Sequence, residues 1–219
     1  VSAWCTETLL DLTGSCRTDY AEDVILLIGK DEKRVVVHKN ILCTTSKFFQ
    51  AALSRRWRET QKKPLKLKEA DPDAFLVYVN WLYTGEVDVL HDEEGCTKVG
   101  HPACEAPEAL ASACILGDFL GDSIYCNAVT DKLHELCLEH KITPGLEFVR
   151  DYWSSLPKHS GFRRLVLDCE ASWVSTAAFD AFAHELPQDF LAEIVKIWVH
   201  APGLQDVEFI DSDFAHYHD

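Results

Sequence analysis

The chain has 219 residues, 47% of them apolar, and a formal net charge of −15. A field of that sign repels phosphate backbones and anionic lipids, which argues against nucleic-acid binding and membrane-surface attachment. No stretch approaches 18 uninterrupted apolar residues, so no membrane span is expected, and a chain this long buries roughly 70% of its unfolded surface without staples.

Residues 3–12, "AWCTETLLDL", place Trp4, Leu9 and Leu10 on a short amphipathic stretch. "DVILLIG", Asp23 to Gly29, is a nearly continuous apolar run ended by glycine and predicts a buried strand. Lys30 to Glu32 form a polar turn, and "KRVVVHK" supplies three β-branched residues in a row, hence a second strand and a hairpin. Beyond His38 the pattern becomes helical. Ile41 and Leu42 fit one turn, and Ser46 is placed to cap a second helix carrying Phe48, Phe49, Ala52 and Leu53. "PLKLKE" alternates Leu65 and Leu67 with lysines, as a half-buried strand does.

"DPDAFLVYVNWLYTG" is the clearest helix. Asp71 caps it, Pro72 occupies the first turn, Phe75, Val79, Leu82 and Tyr83 are expected on one stripe, and Gly85 ends it in the left-handed region. "EVDVL" predicts another short strand, and "HDEEGCTKVGHPACE", residues 91–105, an exposed loop. Two helices follow. The first carries Ala106, Ala109, Leu110, Ala113, Cys114 and Gly117, small enough for close approach; the second, from near Asp122, carries Tyr125, Val129, Leu133 and Leu136. From Thr143 to about Ala201 the chain reads as helical. Phe162, Leu165, Val166, Cys169 and Trp173 form one stripe, Leu191, Ile194, Val195 and Trp198 another, and Pro157 and Pro187 separate the elements. The tail "DVEFIDSDFAHYHD" is acidic and aromatic and is assigned no element.

The candidate reaction centres all have a plainer structural reading. His38 stands five residues before Cys43, but a cysteine nucleophile needs a base within hydrogen-bond reach and a third group to orient it. Here the histidine ends a strand, where backbone hydrogen bonding is its expected role, and Cys43 sits beside Leu42 in an apolar turn as a structural thiol. Cys96, His101 and Cys104 share a loop without a C-x-x-C knuckle or a paired fourth ligand, and His134 and His140 around Cys137 do not form H-E-x-x-H. No phosphate-binding glycine loop and no nucleophile elbow occurs. No catalytic residue, no metal and no cofactor is expected.

The basic cluster "RRWRETQKK", Arg55 to Lys63, reads as a solvated loop because no aromatic platform follows it. Nine cysteines, an odd number without a framework, suit a reduced intracellular protein, cytoplasmic or nuclear. The N-terminus lacks a basic segment followed by an apolar one, which argues against secretion. With no methionine in the sequence, Val1 is not an initiator, and the chain reads as a piece of a longer one.

The order of elements, together with "DVILLIG", "VHKNILCTTSKFF" and "WLYTGEV", resembles a BTB/POZ domain over about residues 19–140. "FRRLVLD" and "LPQDFLAEIVKIW" resemble the helical extension behind such domains in filamentous fungi. The implied fold is α+β: a small sheet of short strands capped by a cluster of helices, then an all-α extension. The implied division is an N-terminal helical segment at 1–18, the BTB/POZ domain at 19–140, the extension at 141–205 and the tail at 206–219.

The implied function is a non-enzymatic protein-interaction module that pairs with a second copy and docks other proteins. The expected dimer face carries Trp4, Leu9 and Leu10 on a helix packed across a two-fold axis, with Asp23 and Lys39 lining a charged groove. The alternative is a substrate adaptor for a cullin-based ubiquitin ligase, with Tyr83 facing the cullin. A thiol or zinc-dependent enzyme is the distant third. His38, Phe48, Phe49, Phe75, Leu82 and Gly85 are expected as structural core around these surfaces.

Overall fold

The computed structural model describes residues 22–54, 64–89, 106–140, 143–200 and 214–218. The segment with Trp4, Leu9 and Leu10, the basic cluster and the loop with Cys96, His101 and Cys104 lie outside the described residues. The elements are β1 (Asp23–Ile28), β2 (Lys33–His38), α1 (Lys39–Thr45), α2 (Lys47–Ala52), β3 (Leu65–Leu67) and α3 (Pro72–Thr84). Six helices follow: α4 (Ala106–Leu120), α5 (Ser123–His140), α6 (Leu146–Tyr152), α7 (Gly161–Trp173), α8 (Thr176–Phe182) and α9 (Gln188–His200). A single 3₁₀ turn lies at Phe214–Tyr217.

The sheet has the order β2-β1-β3, with β2 antiparallel and β3 parallel to β1. The continuous apolar run of β1 predicted burial on both faces, and the structure corrects this. Val24, Leu26 and Ile28 enter the core, while Ile25 is 38% exposed and stands opposite Val36 of β2, itself 45% exposed. Alternate side chains of a strand point to opposite faces, and among the described residues helices cover only the inner one. The stretch after Gly85 keeps the alternation of a strand, with Val87 and Val89 buried and Glu86 and Asp88 exposed, yet residues 86–89 join no ladder.

Helix α3 begins as expected: the Asp71 carboxylate accepts from the backbone N–H groups of Asp73 and Ala74, and Pro72 follows. Gly85 ends it at φ 76°, which a side-chain-bearing residue adopts only at a cost. The buried face is Ala74, Phe75, Val77, Tyr78 and Trp81, not the stripe through Val79, Leu82 and Tyr83. The helix is apolar almost all round, so periodicity alone could not choose its inner face. Aromatic packing makes the choice. Phe49 meets Phe75 with ring centroids 6.5 Å apart, Phe75 meets Tyr78 at 6.0 Å, and Tyr78 meets Tyr125 of α5 edge-on at 4.8 Å. Of the residues expected in the core, Phe49 and Phe75 are fully buried, and Phe48 and Leu82 pack against the core from its margin. His38, Phe48 and Leu82 are half-buried, and Gly85 is exposed, its role being conformational.

Helices α4 and α5 approach closely at Gly117, where an added Cβ would stand 2.7 Å from Cys126 Sγ. Behind them Phe162, Leu165, Val166 and Cys169 of α7 are buried as the stripe predicted. The guanidinium of Arg163 lies 3.8 Å above the buried Trp153 ring and reaches Asp189 of α9 at 2.6 Å, tying three helices of the extension. Val195 is exposed: Phe190 and Ile194 form the buried part of α9. Among the described residues no helix is long and apolar enough to cross a membrane.

Candidate functional site

The polar residues between His38 and Ser46 could have been reactants or fittings, and their partners decide between the two. Thr44 Oγ1 donates to the Asn40 carbonyl at 2.9 Å. Thr45 Oγ1 donates to the Asp122 carboxylate, and Ser46 Oγ donates to the Leu120 carbonyl at 2.8 Å while accepting from Phe49 N–H at 3.2 Å. The Cys43 thiol contacts the Phe49 carbonyl, and burial pushes its titration up, away from the thiolate a nucleophile needs. Thr45 and Ser46 join α1 and α2 to the α4–α5 turn, while Thr44 bonds within its own helix.

Asp122, missed by the sequence analysis except as the start of α5, is their hub. It is fully buried, accepts from Tyr78 Oη at 2.9 Å and caps α5 through the Tyr125 N–H at 3.1 Å. Its signal was available in outline, since a Gly-Asp-Ser step between two helical patterns is a cap signature. Its long-range hydroxyl partners were not available.

A second set of polar groups stays at the surface. In the antiparallel register the first residue of β1, Asp23, stands opposite the last of β2, His38. His38 Nε2 lies 3.9 Å from Asp23 Oδ1, and its Nδ1 lies 2.6 Å from Oη of Tyr83, near the end of α3. The imidazole thus meets a phenol from a distant helix. Tyr83 Oη also accepts from the His38 backbone N–H at 3.3 Å, so both the ring and the main chain of His38 meet the phenol, and the direction of the ring contact follows the imidazole tautomer. Lys39, the first residue of α1, pairs with Glu22 at 2.5 Å and not with Asp23.

Asp23, Lys39 and Tyr83, assigned to two different surfaces, therefore belong to one edge joined through His38, with the Tyr83 side 45% exposed. Around the corner a groove of about 530 Å³ opens between α1, α3 and α5, lined by Ile41, Trp81, Leu82, Ile124, Ala128 and Asp131 among others. Among the described residues no three His, Cys, Asp or Glu side chains gather as metal ligands.

A small three-stranded sheet capped by helices, with a polar edge facing outward, is the fold class of the α+β interaction domains that the family match identifies. Residues 16–98 match the family model of the BTB/POZ domain, and the chain carries such a domain, followed by a helical extension. The chain is similar to TD and POZ domain-containing protein 1-like of Mus musculus, 27% identical over 153 residues, covering 66% of this chain and 40% of that protein. It is also similar to Kelch-like protein 38 of Homo sapiens, 27% identical over 128 residues, 53% of this chain and 22% of the relative. Kelch-like protein 5 of Homo sapiens is 27% identical over 74 residues, 34% of this chain and 10% of the relative. The chain spans less than half the length of each of these relatives.

Proposed function

We propose that this chain is a non-enzymatic scaffold, cytoplasmic or nuclear, that pairs with a second copy of itself and presents its polar edge to a further protein. The domain division that goes with this reading is a dimer arm at residues 1–18, a BTB/POZ domain at 19–140, a helical extension at 141–205 and a tail at 206–219. One observation carries the pairing: the outer face of the β1–β2 hairpin presents Ile25 and Val36 to solvent as a cross-strand pair. Two exposed β-branched side chains paired across the hairpin gain by burial against a like surface. Asp23, His38, Lys39 and Glu22 at the rim of that face would supply its register through charge.

Light scattering on the wild type and on the Ile25→Asp, Val36→Asp double variant tests this. The wild type is expected at the mass of two chains and the variant at one, because two new carboxylates would lose water without partners. A monomeric wild type at tens-of-micromolar concentration, with any flanking sequence restored, ends the pairing proposal.

A second reading, a substrate adaptor for a cullin, draws support from the exposure of Tyr83 near the end of α3. It ranks below the first because residues 74–83 carry no charged side chain with which to specify a partner. Co-purification of a cullin with the wild type, lost in Tyr83→Ala while the chain's own mass is unchanged, would put this reading first.

A further inference from the structure

The last described residues make contacts out of proportion to their length. Tyr217 is buried between α5 and α7, and its Oη donates to Asp168 Oδ2 at 3.2 Å. Its ring meets the buried His134 ring of α5 edge-on, with centroids 5.4 Å apart. His218 Nε2 lies 2.8 Å from Asp131 of α5, and the His218 carbonyl accepts from Arg164 Nη2 of α7 at 3.3 Å. The Tyr217 carbonyl lies against Gly161, in the space where any other residue would carry a side chain: an added Cβ would sit 1.5 Å from that oxygen.

A single 3₁₀ turn has too few internal hydrogen bonds to hold its own shape in water. The seam between the two helices sets its conformation, as a receptor sets that of a bound peptide. The seam supplies one aromatic socket, one carboxylate for the phenol, one carboxylate for the imidazole, one guanidinium for a carbonyl, and a glycine that lets the backbone in.

We propose that the seam between α5 and α7 is a peptide-binding site, anchored on tyrosine, that residues 214–218 fill in cis. The ligand class is a short segment that enters as one 3₁₀ turn and carries Tyr-His, and a second such segment in trans competes for the same seat. The burial that holds the Asp168 carboxyl above the usual carboxylate range supports the arrangement, because a desolvated acceptor gains most from the phenol that seals it. Asp131 and His218 also line the groove beside Ile124, so exchange of the segment remodels that groove's wall.

The test uses full chains. Gly161→Ala is the informative variant, since alanine suits the first turn of α7 better than glycine does and blocks only the incoming backbone. Acetylation of tyrosine hydroxyls by N-acetylimidazole, read by peptide mass spectrometry, is expected at least about tenfold slower at Tyr217 in the wild type than in Gly161→Ala. Both proteins should show the same far-ultraviolet dichroism.

Next, a fluorescein-labelled peptide with the sequence of residues 211–219 is titrated against three proteins. Tyr217→Ala, whose own segment has lost its anchor, is expected to bind it. The wild type should bind at least about tenfold more weakly, because its own segment competes at an effective concentration near millimolar. The Gly161→Ala, Tyr217→Ala double variant should not bind. Equal acetylation in wild type and Gly161→Ala, or equal peptide binding by Tyr217→Ala and the double variant, overturns the proposal. Neither outcome depends on whether the chain dimerises.

Discussion

His38 Nδ1 and Tyr83 Oη lie 2.6 Å apart, although 45 residues separate them and the first was expected in the structural core, the second on a partner-facing surface. The contact orients the imidazole, with Nε2 toward Asp23, and couples its tautomer to the phenol. Tyr83→Phe should therefore leave stability within about 2 kcal/mol of wild type, the net worth of two exposed hydrogen bonds. NMR of the imidazole nitrogens should show a changed tautomer balance. An unchanged tautomer in the variant would show that something other than the phenol orients His38.

Asp122 should be the costliest polar residue of the BTB/POZ domain to remove. Asp122→Ala deletes the α5 cap and leaves the buried Tyr78 hydroxyl without its acceptor. Cap loss costs about 1 kcal/mol and an unsatisfied buried hydroxyl about 1–3 kcal/mol more. A fall in melting temperature of roughly 5–15 °C is expected for a chain of this size. Asp122→Asn, which keeps an acceptor, should recover part of it. Differential scanning calorimetry decides.

Phe49→Ala should cost about 3–5 kcal/mol through lost transfer energy and the cavity left between α2 and α3. Phe48→Ala, at a half-buried ring, should cost visibly less. Equal denaturant midpoints for the two would mean the face of α2 is wrongly assigned.

Glu170 gives a pH signature. Burial raises its carboxyl above the usual range, and hydrogen bonds from the Gly145 N–H, at 2.7 Å, and the Thr143 side chain pull it down less strongly. An acid titrating higher when folded binds its proton more tightly in the native state. Its contribution is therefore fully present below the unfolded value of about 4.3, and is lost as pH rises through the folded value. Glu170→Gln keeps an acceptor for Gly145 and removes the charge. Its melting temperature should vary less than wild type between about pH 4 and pH 8, and should not fall below wild type at the upper end. Thermal melts across that range provide the check, and a steeper profile in the variant would contradict the sign.

Local chemistry made most elements legible in advance. Asp71 with Pro72 opened α3 and Gly85 closed it, Ser46 capped α2, and the β-branched run in β2 made a hairpin with the run in β1, because each signal acts within a few residues of itself. The motifs "DVILLIG", "VHKNILCTTSKFF" and "WLYTGEV" pointed to the BTB/POZ domain for the same reason. What the chain could not announce was which face of an evenly apolar element turns inward. Ile25 looked buried and is exposed, and the stripe of α3 is rotated toward Tyr78 and Trp81.

Nor could it announce pairings across long sequence separations: Thr45 and Tyr78 on Asp122, His38 on Tyr83, Tyr217 on Asp168. A hydroxyl or imidazole carries the same local propensity whatever its distant partner. Only the packing of helices against the sheet, which fixes where each side chain ends up, decides whether that group becomes a fitting in the core or a contact at the surface.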